Sequence, residues 1–117
     1  PSNSDARYKI GVSYLRKNDA DNALEMLERA VAIDQNSHEI HHKIGIAYKM
    51  KNQPAQAIKA LQKSTQLNPK YLEAHYDHAM IQIDTKNYQL ALEPLRQVLQ
   101  IEPNHAEAKR QLAMLSQ

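Results

Sequence analysis

Six histidines and a periodic set of carboxylates are the residues in this chain best able to do chemistry. His38 and His42 stand four apart and His75 and His78 three apart, spacings that place each pair on one face of a helix and suit metal ligation. Zinc needs three or four converging groups, and each pair supplies two, so no metal site is expected. Imidazole titrates near pH 6.5, so a histidine-tuned pH response is the stronger expectation. The carboxylates Asp5, Glu39, Glu73 and Glu107 recur every 34 residues near expected helix starts, where an acidic side chain opposes the helix dipole. They read as solvated helix faces rather than as an acid/base pair. The sequence holds no glycine-rich phosphate loop, no serine nucleophile motif and no cysteine, so neither an enzymatic activity nor a cofactor is expected.

The elements that position these residues are set by a repeat. Ile10, Gly11, Tyr14, Ala23 and Leu27 return 34 residues later as Ile44, Gly45, Tyr48, Ala57 and Leu61, and again in part as His78, Ala79, Ala91 and Leu95. Within each unit apolar residues recur at three- and four-residue spacing, and breakers fall at fixed offsets, so each unit reads as two amphipathic helices joined by a short polar turn. The repeats span 4–37, 38–71 and 72–105, and a capping helix follows at 106–117, all within a single domain of residues 1–117. In the first repeat the helices are expected at about 5–17, with Ala6, Ile10, Tyr14 and Leu15 inward, and about 21–33, with Asn18-Asp19 as the turn. Ser37 and Asn87 are expected N-caps, Pro54 a first helical residue, and Asn68-Pro69 a helix stop. Pro94 falls inside the last long helix, where it should remove a hydrogen bond and kink the chain at about 3 kcal/mol.

Composition narrows the partners. With 42% apolar residues, no Phe or Trp and six Tyr, the core must be aliphatic. A net charge of +2, with acid and base interspersed, gives no bulk attraction for nucleic acid or a membrane surface. No apolar run approaches the roughly 18 residues of a membrane span, so no membrane insertion by this segment is expected. The absence of cysteine fits a reducing or an oxidising compartment, and no localisation follows from it. A chain that begins at Pro1 rather than Met is expected to be a piece of a longer one.

The pattern Ile44-Gly45-x-x-Tyr48, Ala57-x-x-x-Leu61, Pro69 closely resembles the tetratricopeptide repeat, and the match covers nearly the whole chain. The resemblance implies an all-α, right-handed superhelical solenoid whose first helices line a concave groove for a peptide or protein segment. It puts small residues at Gly11, Gly45, Ala79 and Ala113, where helices approach closely. Arg7, His41, His75 and Lys109 stand where the signature has Trp, with His41, His75 and His78 at positions that point into the helix pair. His78 and Gln82 replace the Ile and Tyr of earlier repeats, which predicts the loosest packing in repeat three.

Carried onto this sequence, the groove-facing positions are Tyr8, His42, Tyr76 and Arg110, then Val12, Ile46, Met80 and Met114, with Lys9, Lys43, Lys49 and Asp77 beside them. The apolar row either packs between neighbouring first helices or floors a binding groove. Some members of the family grip a C-terminal carboxylate with basic and amide side chains. The corresponding positions here are Tyr8, Val12, Lys43, Glu73 and Asp77, of which Lys43 alone suits that role, so an acidic chaperone tail is not the expected ligand. The expected function is a protein-interaction or scaffold module. The alternative is a self-assembling unit, a homo-oligomer or part of a longer array, because terminal repeats of solenoids expose apolar faces.

Overall fold

The computed structural model describes residues 3–117 as helices joined by short turns. In chain order they are α1 (Asn3–Arg16), α2 (Ala20–Ile33), α3 (His38–Met50), α4 (Pro54–Leu67), α5 (Leu72–Asp84), α6 (Tyr88–Ile101) and α7 (Ala106–Leu115). Each helix packs on the next, giving three antiparallel pairs and a closing helix in a solenoid of 47 × 25 × 20 Å.

Local chemistry sets the boundaries. Asn18, Asn52 and Lys86, at one position of the period, take left-handed backbone with φ of 59°, 60° and 65° and turn the chain between the helices of a pair. Asparagine tolerates that conformation better than most residues, whereas Lys86 bears the steric cost. Asp19 and Ser37 cap α2 and α3, their side-chain oxygens accepting from the backbone N–H of Asn22 and Ile40. Pro54 opens α4, and Asn68 closes it with its N–H on the Ser64 carbonyl at 2.9 Å. Asn87 precedes α6 but does not cap it through its side chain; its Nδ2–H donates instead to Thr85 Oγ1 at 3.0 Å. The helix α6 runs on through Pro94, whose missing N–H leaves the Leu90 carbonyl without its usual partner.

Glycine brings the first two pairs together. A Cβ on Gly11 would lie 2.7 Å from Leu27 Cγ, and one on Gly45 2.8 Å from Leu61 Cγ, so each leucine occupies the space a side chain would need. Leu27, Leu61 and Leu95 are fully buried, as are Ala23, Ala57 and Ala91. Ile44 is 8% exposed and shares a core cluster with Leu24 and Leu27 of α2, yet Ile10, its counterpart, is 46% exposed. The expected inward places of Ala6 and Ile10 are therefore corrected: both are exposed, since among the described residues no helix stands beside α1 as α2 stands beside α3. At the far end α7 buries Ala108 against Leu95 and Val98, while Ala113 is exposed, with no partner helix against it among the described residues.

Candidate partner-binding groove

Helices α1, α3, α5 and α7 carry the residues expected on the concave side. Val12, Ile46 and Met80 are half-buried, and Met114 is 62% exposed. Met80 also packs on the cluster of Ala79, Leu95 and Val98, so the row contributes to packing as well as to surface. Tyr8, Lys9, Val12, Ser13, Arg16 and Lys43 together line a depression of about 370 Å³ between α1 and α3. Beside it, Ser4, Asp5, Tyr8, Asp34, Ser37, Glu39 and Ile40 line another of about 170 Å³. Tyr8 belongs to both, and burial first, then Glu39 and Asp5, raises its phenol pKa, so it remains a neutral hydroxyl. Lys9 pairs with Asp5 at 3.3 Å along α1. Lys49 and Arg110 are exposed.

Tyr76 lies between α5 and α7. Its hydroxyl donates to Glu107 Oε2 at 2.8 Å, and its ring lies 5.1 Å from that of His105 at a 40° tilt. Burial and the Glu107 carboxylate raise its pKa. It thus ties the capping helix to the array and remains half-buried.

His42 departs from its expected place. It is 4% exposed, with Nε2 2.7 Å from Asp77 Oδ2 and Nδ1 3.2 Å from the Tyr71 hydroxyl. A neutral imidazole satisfies both contacts, donating from Nε2 to the carboxylate and accepting at Nδ1 from the phenol. Tyr71 stands edge-on to His42 and His38, and Asn68 Nδ2 donates to His38 Nε2 at 3.3 Å. This network joins the second and third pairs. At the preceding junction the same two positions hold Tyr8 and Lys43, which cannot form such a pair. Burial, with Glu73 next, pushes the Tyr71 phenol up to about 12, so the hydroxyl keeps its proton and can donate it to His42.

Spacing puts His38 and His42 on one helical face but gives no sign of Tyr71 as their shared partner, since it lies 29 residues beyond His42 at the far end of the same repeat. The histidines in the signature Trp slot have a shared role that their period does announce. His41 Nε2–H donates to the Gln35 carbonyl at 3.0 Å and His75 Nε2–H to the Pro69 carbonyl at 2.9 Å, each fastening the loop that precedes its helix. His78 accepts from Gln82 Nε2 at 3.2 Å, and burial, with His75 next, lowers its pKa. Among the described residues, no three or more of His, Cys, Asp and Glu converge on a metal-sized space.

Paired helices at a fixed period, a concave face built from alternate helices and a closing helix define a tetratricopeptide-repeat solenoid. The chain belongs to the family described as anaphase-promoting complex, cyclosome, subunit 3, whose model matches residues 16–98. Among solved structures it is similar to MamA, at 26% identity and a TM-score of 0.91 over 98% of this chain and 67% of that one. The first TPR of Spaghetti (RPAP3), bound to the HSP90 peptide SRMEEVD, gives 20% identity and a TM-score of 0.87 over 97% of this chain and 92% of that one. The Sgt2 TPR domain from Aspergillus fumigatus gives 20% and 0.87 over 99% and 78%. The latter two likenesses bear on the fold alone. No curated protein sequence matches the chain. No helix among the described residues is long and apolar enough to cross a membrane.

Proposed function

We propose that the chain is a non-catalytic protein-interaction domain that receives a partner peptide or protein segment in its concave groove. The observation that carries this reading is the row Val12, Ile46, Met80 and Met114, still partly or largely exposed along four successive first helices, with Tyr8 and Tyr76 beside it. Rigid aromatic and flexible thioether side chains on a pre-ordered helical surface suit recognition, because little ordering cost falls on the protein. Lys43 remains the single basic group among Tyr8, Val12, Lys43, Glu73 and Asp77, which argues against a clamp on a C-terminal carboxylate. Replacing Tyr8 and Ile46 with Ala should abolish retention of partners from the native source on the immobilised chain, while Lys59→Ala with Lys63→Ala on α4 should not. Equal retention by both variants contradicts groove binding.

Self-assembly is the second reading, favoured by the exposure of Ile10 on the outer side of α1. Light scattering across a concentration series decides it: a dimer that Ile10→Glu dissolves supports it, and a strict monomer opposes it.

A further inference from the structure

We propose that the depression between α1 and α3 is a subsite for the acidic side chains of an internal partner segment, a reading that rests on the groove function above. Its charged lining is Lys9, Arg16 and Lys43, and no carboxylate lines it. Lys9 is held by Asp5, one turn back, whereas Arg16 and Lys43 are engaged in no ion pair among the described residues. Lys43 is half-buried and lines the depression beside Tyr8. The floor is Tyr8 and Val12, which gives an apolar side chain next to the acidic one a place to lie.

The neighbouring depression has the opposite sign. Asp5, Asp34 and Glu39 line it, and Tyr8 forms the boundary shared by the two. An acidic segment is therefore drawn to one side of Tyr8 and repelled from the other, which fixes the direction in which it crosses the groove. A nucleic acid is disfavoured by the same feature: its backbone charge is continuous, and a strand tracking the groove would run from Arg16 and Lys43 onto Asp34 and Glu39. The subsite shares Lys43 with the terminal-carboxylate clamp positions but differs from the clamp, because its other cations are Lys9 and Arg16 on α1 and the remaining clamp positions, Tyr8, Val12, Glu73 and Asp77, supply none. The matching ligand is a carboxylate-bearing stretch within a chain, with its terminus free to lie elsewhere.

The test uses a fluorescein-labelled, C-terminally amidated peptide of Glu-Glu-Leu-Tyr-Glu-Glu-Leu, a counterpart with Gln for every Glu, and a single-stranded thymidine oligonucleotide, each followed by fluorescence anisotropy. The wild-type chain is expected to bind the Glu peptide at least about tenfold tighter than the Gln peptide, with the preference shrinking as salt rises. Arg16→Glu with Lys43→Glu should erase the preference. Arg16→Lys with Lys43→Arg should keep it, as should Lys59→Glu with Lys63→Glu on α4, circular dichroism confirming that each variant is folded. Failure of the Glu peptide to bind, equal binding of the two peptides, tighter binding of the oligonucleotide, or indifference to the Arg16/Lys43 reversal each overturns the subsite. If both peptides bind equally and both are lost on Tyr8→Ala with Ile46→Ala, the groove stands and the acidic subsite falls. If that double substitution changes neither, the groove reading falls with it.

Discussion

The pair α3–α4 and the pair α5–α6 hold the same place in a 34-residue period, yet they close by different means. In α3–α4 the contact is apolar and tight: Gly45 lacks a Cβ, Leu61 fills the vacated space, Ile44 is buried, and Asn52 makes the left-handed turn. In α5–α6 the equivalent positions are Ala79, Leu95, His78 and Lys86. Ala79 brings its own methyl group, His78 and Gln82 bind each other one turn apart along α5 rather than across to α6, and Lys86 takes left-handed backbone without a side chain suited to it. The period thus fixes where helices begin and end, while the residues that set the approach inside each pair are free to change, from glycine against leucine in one to alanine against leucine in the other. A solenoid tolerates this because each pair answers mainly to its neighbours.

The largest effect expected from breaking this contrast is Gly45→Ala. The new methyl would lie 2.8 Å from Leu61 Cγ and 3.1 Å from the Ala57 carbonyl oxygen, and the backbone oxygen cannot yield without moving α4. Overpacking of this kind costs about 1–3 kcal/mol, to be read from urea unfolding. The reciprocal Ala79→Gly should cost about 1 kcal/mol, from lost helix propensity. A neutral Gly45→Ala would show that the close approach does not govern the pair.

Lys86→Asn should act in the opposite direction, stabilising by roughly 0.5–1 kcal/mol through relief of the left-handed turn, while Asn52→Lys should lose a comparable amount. Equal and negligible shifts in Tm for both would remove the turn from the comparison. The smallest effect is pH-dependent. Because burial and His75 hold the His78 pKa below its ordinary 6.5, the unfolded chain takes up this proton before the folded one does. The stability linked to His78 is therefore complete above pH 6.5 and drains away as pH falls through the lower, folded value. His78→Ile, which copies repeat two, should flatten the acid side of a Tm-against-pH curve; an unchanged curve would assign the acid sensitivity to other groups.

Much of this was legible in the sequence because the repeat supplies its own controls. Gly11 and Gly45 mark the close approaches, Asn18 opens the turn, and Pro54 and Asn68 bound α4, each by local chemistry that needs no distant partner. Two kinds of fact were not legible. Ile10 and Ile44 are the same residue at the same position, and they differ in exposure only through what stands beside them. His42 shares its position with Tyr8 and Tyr76, and it is buried because Asp77, 35 residues on, and Tyr71 meet it across a junction. Arg16 is silent in the repeat for a related reason: its counterparts are Met50 and Asp84, so repetition carries no signal of a basic site, though Lys9 and Lys43 occupy one recurring position.

The central claim is that partners bind on the concave face, and the most direct measurement is amide chemical-shift mapping of the isotope-labelled chain during titration with a captured partner segment. Shifts are expected to concentrate around Tyr8, Val12, Ile46 and Met80 on α1, α3 and α5. Shifts confined to α2, α4 and α6 would contradict it.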